Sequence, residues 1–416
     1  MEKGNQKICK KMLLIMMAGT FLSPTQFFIL SICYYFLLVI KLKGKVVFPR
    51  VPGLRLYVCV IAYTTLVGFF LYTTRNVIRD LYYILPTVLW IFIGASESAQ
   101  NPEMDIKKTI FLYGTFITLK NFLFFIGKGS LDFNNLRLVF GLNVYDLGFI
   151  LPISAICVFL HKEVYVGEKI DRMIVVLMTL NVVLSLGRIA ILQPMIIFTV
   201  LLFMEGREAE NQTKIKKVVK LFFSITVALV VVFYIMPDSI KSPLMDKVLN
   251  SFDEVDSSQK ITSVGSAMNN WRAYEIQSAK EQWKGEWVIS QLFGEGMGKG
   301  VEIQYVPYSW AGVVDGNEIP LLHNGFYTML IKGGIIGVAA LLWLFMGNAK
   351  KGLYMVKHRA DKVYSNILVA ISVAAVANTY VVRGPIQQGA FLTWALLIGW
   401  INRKEKNNGR VFQGKV

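Results

Sequence analysis

Cysteine is scarce in this chain. There are four in 416 residues, Cys9, Cys33, Cys59 and Cys157, and none forms a CxxC pair. A disulfide framework and a thiol zinc site are both excluded. Each thiol lies in or beside an apolar run and reads as a small buried hydrophobe. Histidine is scarcer, with His161, His323 and His358 alone. HExxH, a metal-spaced carboxylate cluster and a nucleophile elbow are all missing, so no metal, cofactor or acyl-enzyme chemistry is expected. No repeat of fixed period and no low-complexity tract occurs. Acidic residues number 27 against 44 basic ones, for a net charge of +17. No basic stretch is interleaved with aromatics on a soluble element, so nucleic acid is not the expected partner.

Apolar residues are abundant. They make up 54% of the chain, with a mean hydropathy of +0.50. They fall in runs of about 15–20 residues, the length that crosses a bilayer. Segments 12–23, 27–41, 55–73, 77–95, 108–127, 143–160, 170–186, 189–204, 217–236, 321–346, 363–382 and 385–401 are the candidates. The expectation is an all-α integral membrane protein with about 12 spans. Lys3, Lys7, Lys10 and Lys11 precede the first run. No small-residue cleavage site follows, so this reads as a retained helix rather than a signal peptide. Segments 12–41 read either as a hairpin or as one helix kinked at Pro24. The hairpin keeps the basic joints 41–55, 205–220 and 347–362 and the tail from Arg403 on one side. By the positive-inside rule that side is cytoplasmic, with both termini there. The protein is then multi-pass in the cytoplasmic (inner) membrane, with its active side external or periplasmic.

Three parts follow: membrane helices over 1–236, a large loop over 237–320, and further helices with a cytoplasmic tail over 321–416. A connection of that length is functional or disordered as a rule. Within the loop, residues 269–289 predict an amphipathic helix with Trp271, Tyr274, Ala279, Trp283 and Trp287 as interfacial anchors, lying flat on the outer leaflet. The run Gly294-Glu295-Gly296-Met297-Gly298-Lys299-Gly300 lacks the spacing of a phosphate-binding loop and reads as a flexible loop for close backbone approach.

Charges at membrane depth are costly and mark candidate sites. Arg188, in Ser185-Leu186-Gly187-Arg188, reads as a snorkelling side chain or as an anion clamp, because a guanidinium offers a rigid fork to phosphate oxygens. Arg272, at the start of the loop helix, reads as a headgroup contact or as a second phosphate ligand. His323 stands alone among the histidines on the external side, at the head of a helix, and is a candidate general base. Arg79, Lys120, Arg137 and Arg383 are further candidates for substrate binding; Lys120 must face the bundle interior or a watery cavity, or else snorkel.

The order of these pieces resembles the O-antigen polymerase and O-antigen ligase superfamily, including Wzy-type capsule polymerases. The resemblance rests on a Ser-x-x-Arg turn, a long external loop with an Arg-aromatic helix and the Gly-rich run, then His323-Asn324 heading a helix with Gly333-Gly334-Ile335-Ile336-Gly337. It covers residues 181–346. Gly187 departs from it, since members often carry Ser before the Arg. It implies a GT-C-like architecture and a metal-independent glycosyltransferase using undecaprenyl-diphosphate-linked oligosaccharides. Arg188 and Arg272 would bind the diphosphate and His323 would activate the acceptor hydroxyl. A surface-polysaccharide polymerase is the first expectation. A ligase, a lipid-glycan flippase or transporter, and a structural membrane subunit are the alternatives. Membrane lipid, and a flippase and chain-length regulator of the same pathway, are the implied partners.

Overall fold

The computed structural model describes residues 8–128, 133–206, 263–305, 317–358, 361–387 and 391–413, with isolated positions between 207 and 261. The expected span 217–236 and the first part of the long loop lie outside the described residues. The regular structure of the described residues is helical, apart from one two-stranded ribbon. Among the described residues, seven helices are long and apolar enough to cross a membrane, and the pair Asn134–Phe140 and Val144–Leu160, bent by 65°, makes an eighth if it counts as one broken span. Several apolar helices of this kind make a multi-pass membrane protein.

The first two segments form separate helices, α1 (Lys10–Gly19) and α2 (Pro24–Lys41). Pro24 does not kink a helix. It occupies the first turn of α2, where its missing N–H costs nothing, behind a Ser23–Gln26 capping box. At ten residues α1 is about 15 Å long, half a bilayer core, so segment 12–23 is not a span. Next come α3 (Leu54–Leu71), α4 (Thr74–Gln100), α5 (Ile106–Lys128), α6 (Phe133–Phe140), α7 (Val144–Ala155), α8 (Glu168–Leu184) and α9 (Arg188–Glu205). After the gap lie α10 (Val264–Asn269), α11 (Trp271–Gly285) and α12 (Val288–Phe293), strands β1 (Val301–Glu302) and β2 (Glu318–Ile319), then α13 (Gly325–Lys357), α14 (Lys362–Val382) and α15 (Leu392–Gln413). The joint expected from residue 347 is helical as far as Lys357, so α13 runs a further ten residues or so beyond the apolar run. Cys33 and Cys59 are exposed rather than buried, and the Cys9 thiol donates to Glu97 at 3.3 Å.

Helix α13 is broken at Gly334, whose φ of 62° and ψ of −162° no helix contains. A break frees carbonyls that must find other donors. The Gly-rich run supplies them. Glu295 N–H donates to Ile331 O and Gly296 N–H to Lys332 O, both at 3.0 Å. Met297 N–H donates to Thr64 O of α3 at 2.8 Å. The approach is backbone to backbone. A Cβ on Gly334 would stand 2.3 Å from Leu292 O, and one on Gly68 would stand 2.1 Å from Met297 O. Gly294, Gly296 and Gly298 all have positive φ. The run is therefore a fitted plug, not a flexible loop.

A buried ion pair fastens the plug. Asp80, near the start of α4, and Lys332 of α13 are 2% exposed each. Lys332 Nζ donates to Asp80 Oδ2 and, at 2.6 Å, to Lys299 O; Gly298 N–H donates to the same Asp80 oxygen at 2.6 Å. Lys332→Ala removes the closer of the two cations on Asp80 and leaves Arg79 at 3.4 Å; loss of a buried partner of this kind costs up to about 3–5 kcal/mol. Thermal denaturation in detergent should show a large fall in melting temperature, with substantial recovery in the Asp80→Asn/Lys332→Met pair. An unchanged melting temperature in Lys332→Ala contradicts the role assigned to the pair.

Candidate functional site

The end of the bundle that carries the plug also carries the polar site. Its framework is α11, whose residues Ala273, Tyr274, Glu275, Ile276 and Ala279 are buried. Tyr274 and Ala279 pack with Val301, Ile303, Ile319, Leu322 and Ile331. The face expected to rest on lipid is thus covered by protein. The expected single helix over 269–289 also breaks at Glu286, and the large exposed side chains sit beyond the break, at Trp287, Val288 and Ile289.

A buried carboxylate sits within this apolar face. Glu275, 2% exposed, accepts from the Trp271 indole at 2.8 Å, one helical turn back. It also accepts from the His323 backbone N–H at 2.8 Å and lies 3.0 Å from His323 Nδ1. A carboxylate only accepts, so Nδ1 carries a proton, and in the tautomer this favours Nε2 presents the lone pair. The segment before α13 is held a second time. Arg383 donates from Nε to Leu322 O at 3.1 Å and from a terminal nitrogen to Leu321 O at 3.4 Å. Arg383 caps α14 at a φ of 77°, a conformation a non-glycine residue rarely takes and which its two hydrogen bonds offset. Gly325 permits this approach, since a Cβ there would stand 2.4 Å from Arg383 O. Asn324 caps α13, its side-chain oxygen accepting from Phe326 and Tyr327 N–H at 3.0 and 3.3 Å.

Arg272 and His323 line one cleft together with Ile276, Asn324, Tyr380 and Val381. Arg272, Arg383 and Arg137 all lie near enough to Tyr145, at the head of α7, to act on its hydroxyl electrostatically, and Arg383 also feels Glu275. Three guanidiniums thus act on the region of Tyr145, beside the buried carboxylates Glu275 and Asp146, and the excess of positive charge makes this end of the bundle attractive to anions. Arg188 opens α9 after a tight turn with Leu186 at a φ of 51°. Gln193, further along α9, donates to Tyr145 O at 2.9 Å, so Arg188 sits at the same end. A Cβ on Gly187 would meet its nearest neighbour, Ala190 Cβ, at 3.2 Å, so the backbone admits a serine there with a small shift.

Two of the expected residues are tied into the scaffold. Lys120 is 5% exposed and faces the interior, where Nζ donates to Thr20 O and Asn143 Oδ1 at 3.2 Å each. Arg79 joins the plug cluster through Asp80 at 3.4 Å. Asp146, beside Tyr145, is buried and accepts from Thr393 N–H at 2.9 Å, tying α7 to the start of α15. Among the described residues no three His, Cys, Asp or Glu side chains are placed to share a metal ion.

Fold and site together define a multi-pass helical membrane protein with a histidine–glutamate pair and clustered arginines at one end of the bundle. Residues 173–342, from α8 to the middle of α13, match the family model described as O-antigen ligase. The chain is similar over that stretch to the O-antigen polymerase and ligase superfamily. No curated protein matches it.

The Asn324 cap fixes where α13 begins and hence where His323 points. Asn324→Ala should cost about 1 kcal/mol, measured as a lower melting temperature. Asn324→Ser keeps an acceptor and should lose less. Equal melting of the alanine and parent proteins contradicts the capping role.

Proposed function

We propose that the protein is a surface-polysaccharide polymerase. It transfers a growing glycan from undecaprenyl diphosphate to a lipid-linked repeat unit at the external leaflet. The observation that carries this reading is His323, oriented by Glu275 and sharing a cleft with Arg272. The family match, which spans Arg188, Arg272 and His323, agrees with glycan transfer of this type.

The chemistry follows from the groups present. The acceptor hydroxyl gives its proton to His323 Nε2 as its oxygen attacks the anomeric carbon of the donor. The new glycosidic C–O bond forms as the bond from that carbon to the diphosphate oxygen breaks. The leaving diphosphate gains charge, which Arg272 and Arg188 stabilise. Glu275 holds the ring in the tautomer that accepts at Nε2 and stabilises the imidazolium that results. Arg383 positions the same segment through its carbonyls, and Arg137 adds to the positive field. The basic joints around Lys45, Arg50 and Arg403 line a cleft at the bundle end opposite the plug; an external histidine is the orientation that agrees with the positive-inside rule. Glycan transfer to a terminal acceptor is the second reading, favoured by the ligase description of the family model. It uses the same residues.

The test is a size ladder of surface glycan from a strain lacking the gene, complemented with parent or variant protein at equal membrane abundance. His323→Ala should leave single repeat units. In a purified assay with lipid-linked repeats, Glu275→Gln should lower kcat by roughly 10²-fold, within the range of general-base effects. Arg272→Lys keeps charge but loses the fork, and should lower kcat by at least about tenfold. Long glycan that accumulates on the lipid without reaching its final acceptor would identify the ligase. A full ladder from His323→Ala overturns the assignment of the base.

A further inference from the structure

Further clefts lie at the other end of the molecule. Two adjoining ones, of about 510 and 530 Å³, share Pro49, Arg50 and Arg55 in the connection between α2 and α3. They adjoin the part of α13 beyond its break at Gly334, around Trp343 and Gly347, whereas the histidine lies at its head. Lys45, Arg50, Arg55 and Arg403 line them, and no aspartate or glutamate does so among the described residues.

A basic joint that only sets topology needs no fixed shape. This one has one. From Val46 to Val51 burial alternates: Val47, Pro49 and Val51 are buried while Val46, Phe48 and Arg50, like Lys45 before them, are exposed. Its end is clamped to α13. A Cβ on Gly347 would stand 2.8 Å from Pro52 Cβ, and one on Gly53, at a φ of 76°, would stand 2.5 Å from Leu344 N. Arg55 lies over the Phe48 ring at 5.8 Å. Large apolar side chains border the cations: Phe48 is 48% and Trp343 62% exposed. Fixed cations beside an exposed aromatic rim are complementary to a phosphate headgroup with acyl chains attached, and basic pockets at the cytoplasmic ends of helices take such headgroups.

We infer that the α2–α3 connection forms a binding site for the headgroup of an anionic phospholipid, with Arg50, Arg55 and Lys45 on the phosphate and Phe48 and Trp343 against the upper acyl chain. The site is separate from the histidine cleft and stands whether or not that cleft polymerises glycan.

Native mass spectrometry of delipidated full-length protein in detergent, titrated with phosphatidylglycerol or phosphatidylcholine, tests this. Parent protein should bind phosphatidylglycerol at least about tenfold more tightly than phosphatidylcholine. Arg50→Ala/Arg55→Ala should lose roughly thirtyfold of the phosphatidylglycerol affinity and leave phosphatidylcholine unchanged. Should that pair elute as aggregate, Lys45→Gln/Arg50→Gln, at two exposed positions, makes the same prediction. Unchanged phosphatidylglycerol binding in a folded variant overturns the site. Equal binding of the two lipids, or displacement of phosphatidylglycerol by millimolar inorganic phosphate, overturns its assignment to an anionic lipid.

Discussion

The break in α13 at Gly334 is the constraint on which the rest of this end of the molecule depends. A helix interrupted inside a bundle exposes carbonyls with no water at hand, and the cost falls only if other donors reach them. Three backbone N–H groups of the Gly-rich run meet Ile331, Lys332 and Thr64, and Asp80 accepts a fourth from Gly298. Side chains at Gly68, Gly294 or Gly334 would stand within about 2.5 Å of backbone atoms and prevent that contact. The Asp80–Lys332 pair neutralises two charges that neither the bundle nor the plug could bury alone. Once the plug is seated, α12, the ribbon and α11 are fixed relative to α13, and His323 comes to lie against Glu275.

The site is thus assembled from segments far apart in sequence. Glu275 comes from the long loop, His323 from the lead into α13, Arg383 from the end of α14 and Tyr145 from the head of α7. Each is held by hydrogen bonds rather than by packing alone, Tyr145 through its carbonyl accepting from the Gln193 amide. Preorganisation of this kind lets a fixed field act on developing charge without rearrangement at the moment of reaction. The division of labour among the arginines follows. Arg383 spends donors on Leu321 and Leu322 and serves position, whereas Arg272 lines the cleft beside the histidine.

Much of this was legible in the sequence, and the failures have physical causes. The apolar runs located α2 to α5, α9, α13 and α14 because burial in lipid demands continuous hydrophobicity. The run at 12–23 yields only the ten-residue α1, while the run at 143–160 appears as one arm of a bent pair with α6. Arg272 and His323 were chosen as rare charged or titratable groups at helix starts, and they do share a cleft. Glu275 was missed because a glutamate in an amphipathic helix passes for a solvated residue. The available signal was its spacing of four from Trp271, on the same face as Ala279. The glycines pointed to close approach, but not to its target, since nothing local tells that residues 294–298 meet a break some forty residues later. Lys120 illustrates the reverse: membrane depth marks a charge as special, yet its bonds to Thr20 and Asn143 are internal ties.

The central claim is that one cleft, between Arg272 and His323, holds the diphosphate and aims the base. A cryo-EM structure of the protein with a bound polyprenyl-diphosphate glycan tests it most directly. The account predicts a phosphate within ion-pair distance of Arg272 and the anomeric carbon on the Nε2 side of His323, with Glu275 still on Nδ1. A diphosphate bound elsewhere, with the Arg272–His323 cleft vacant, would contradict it.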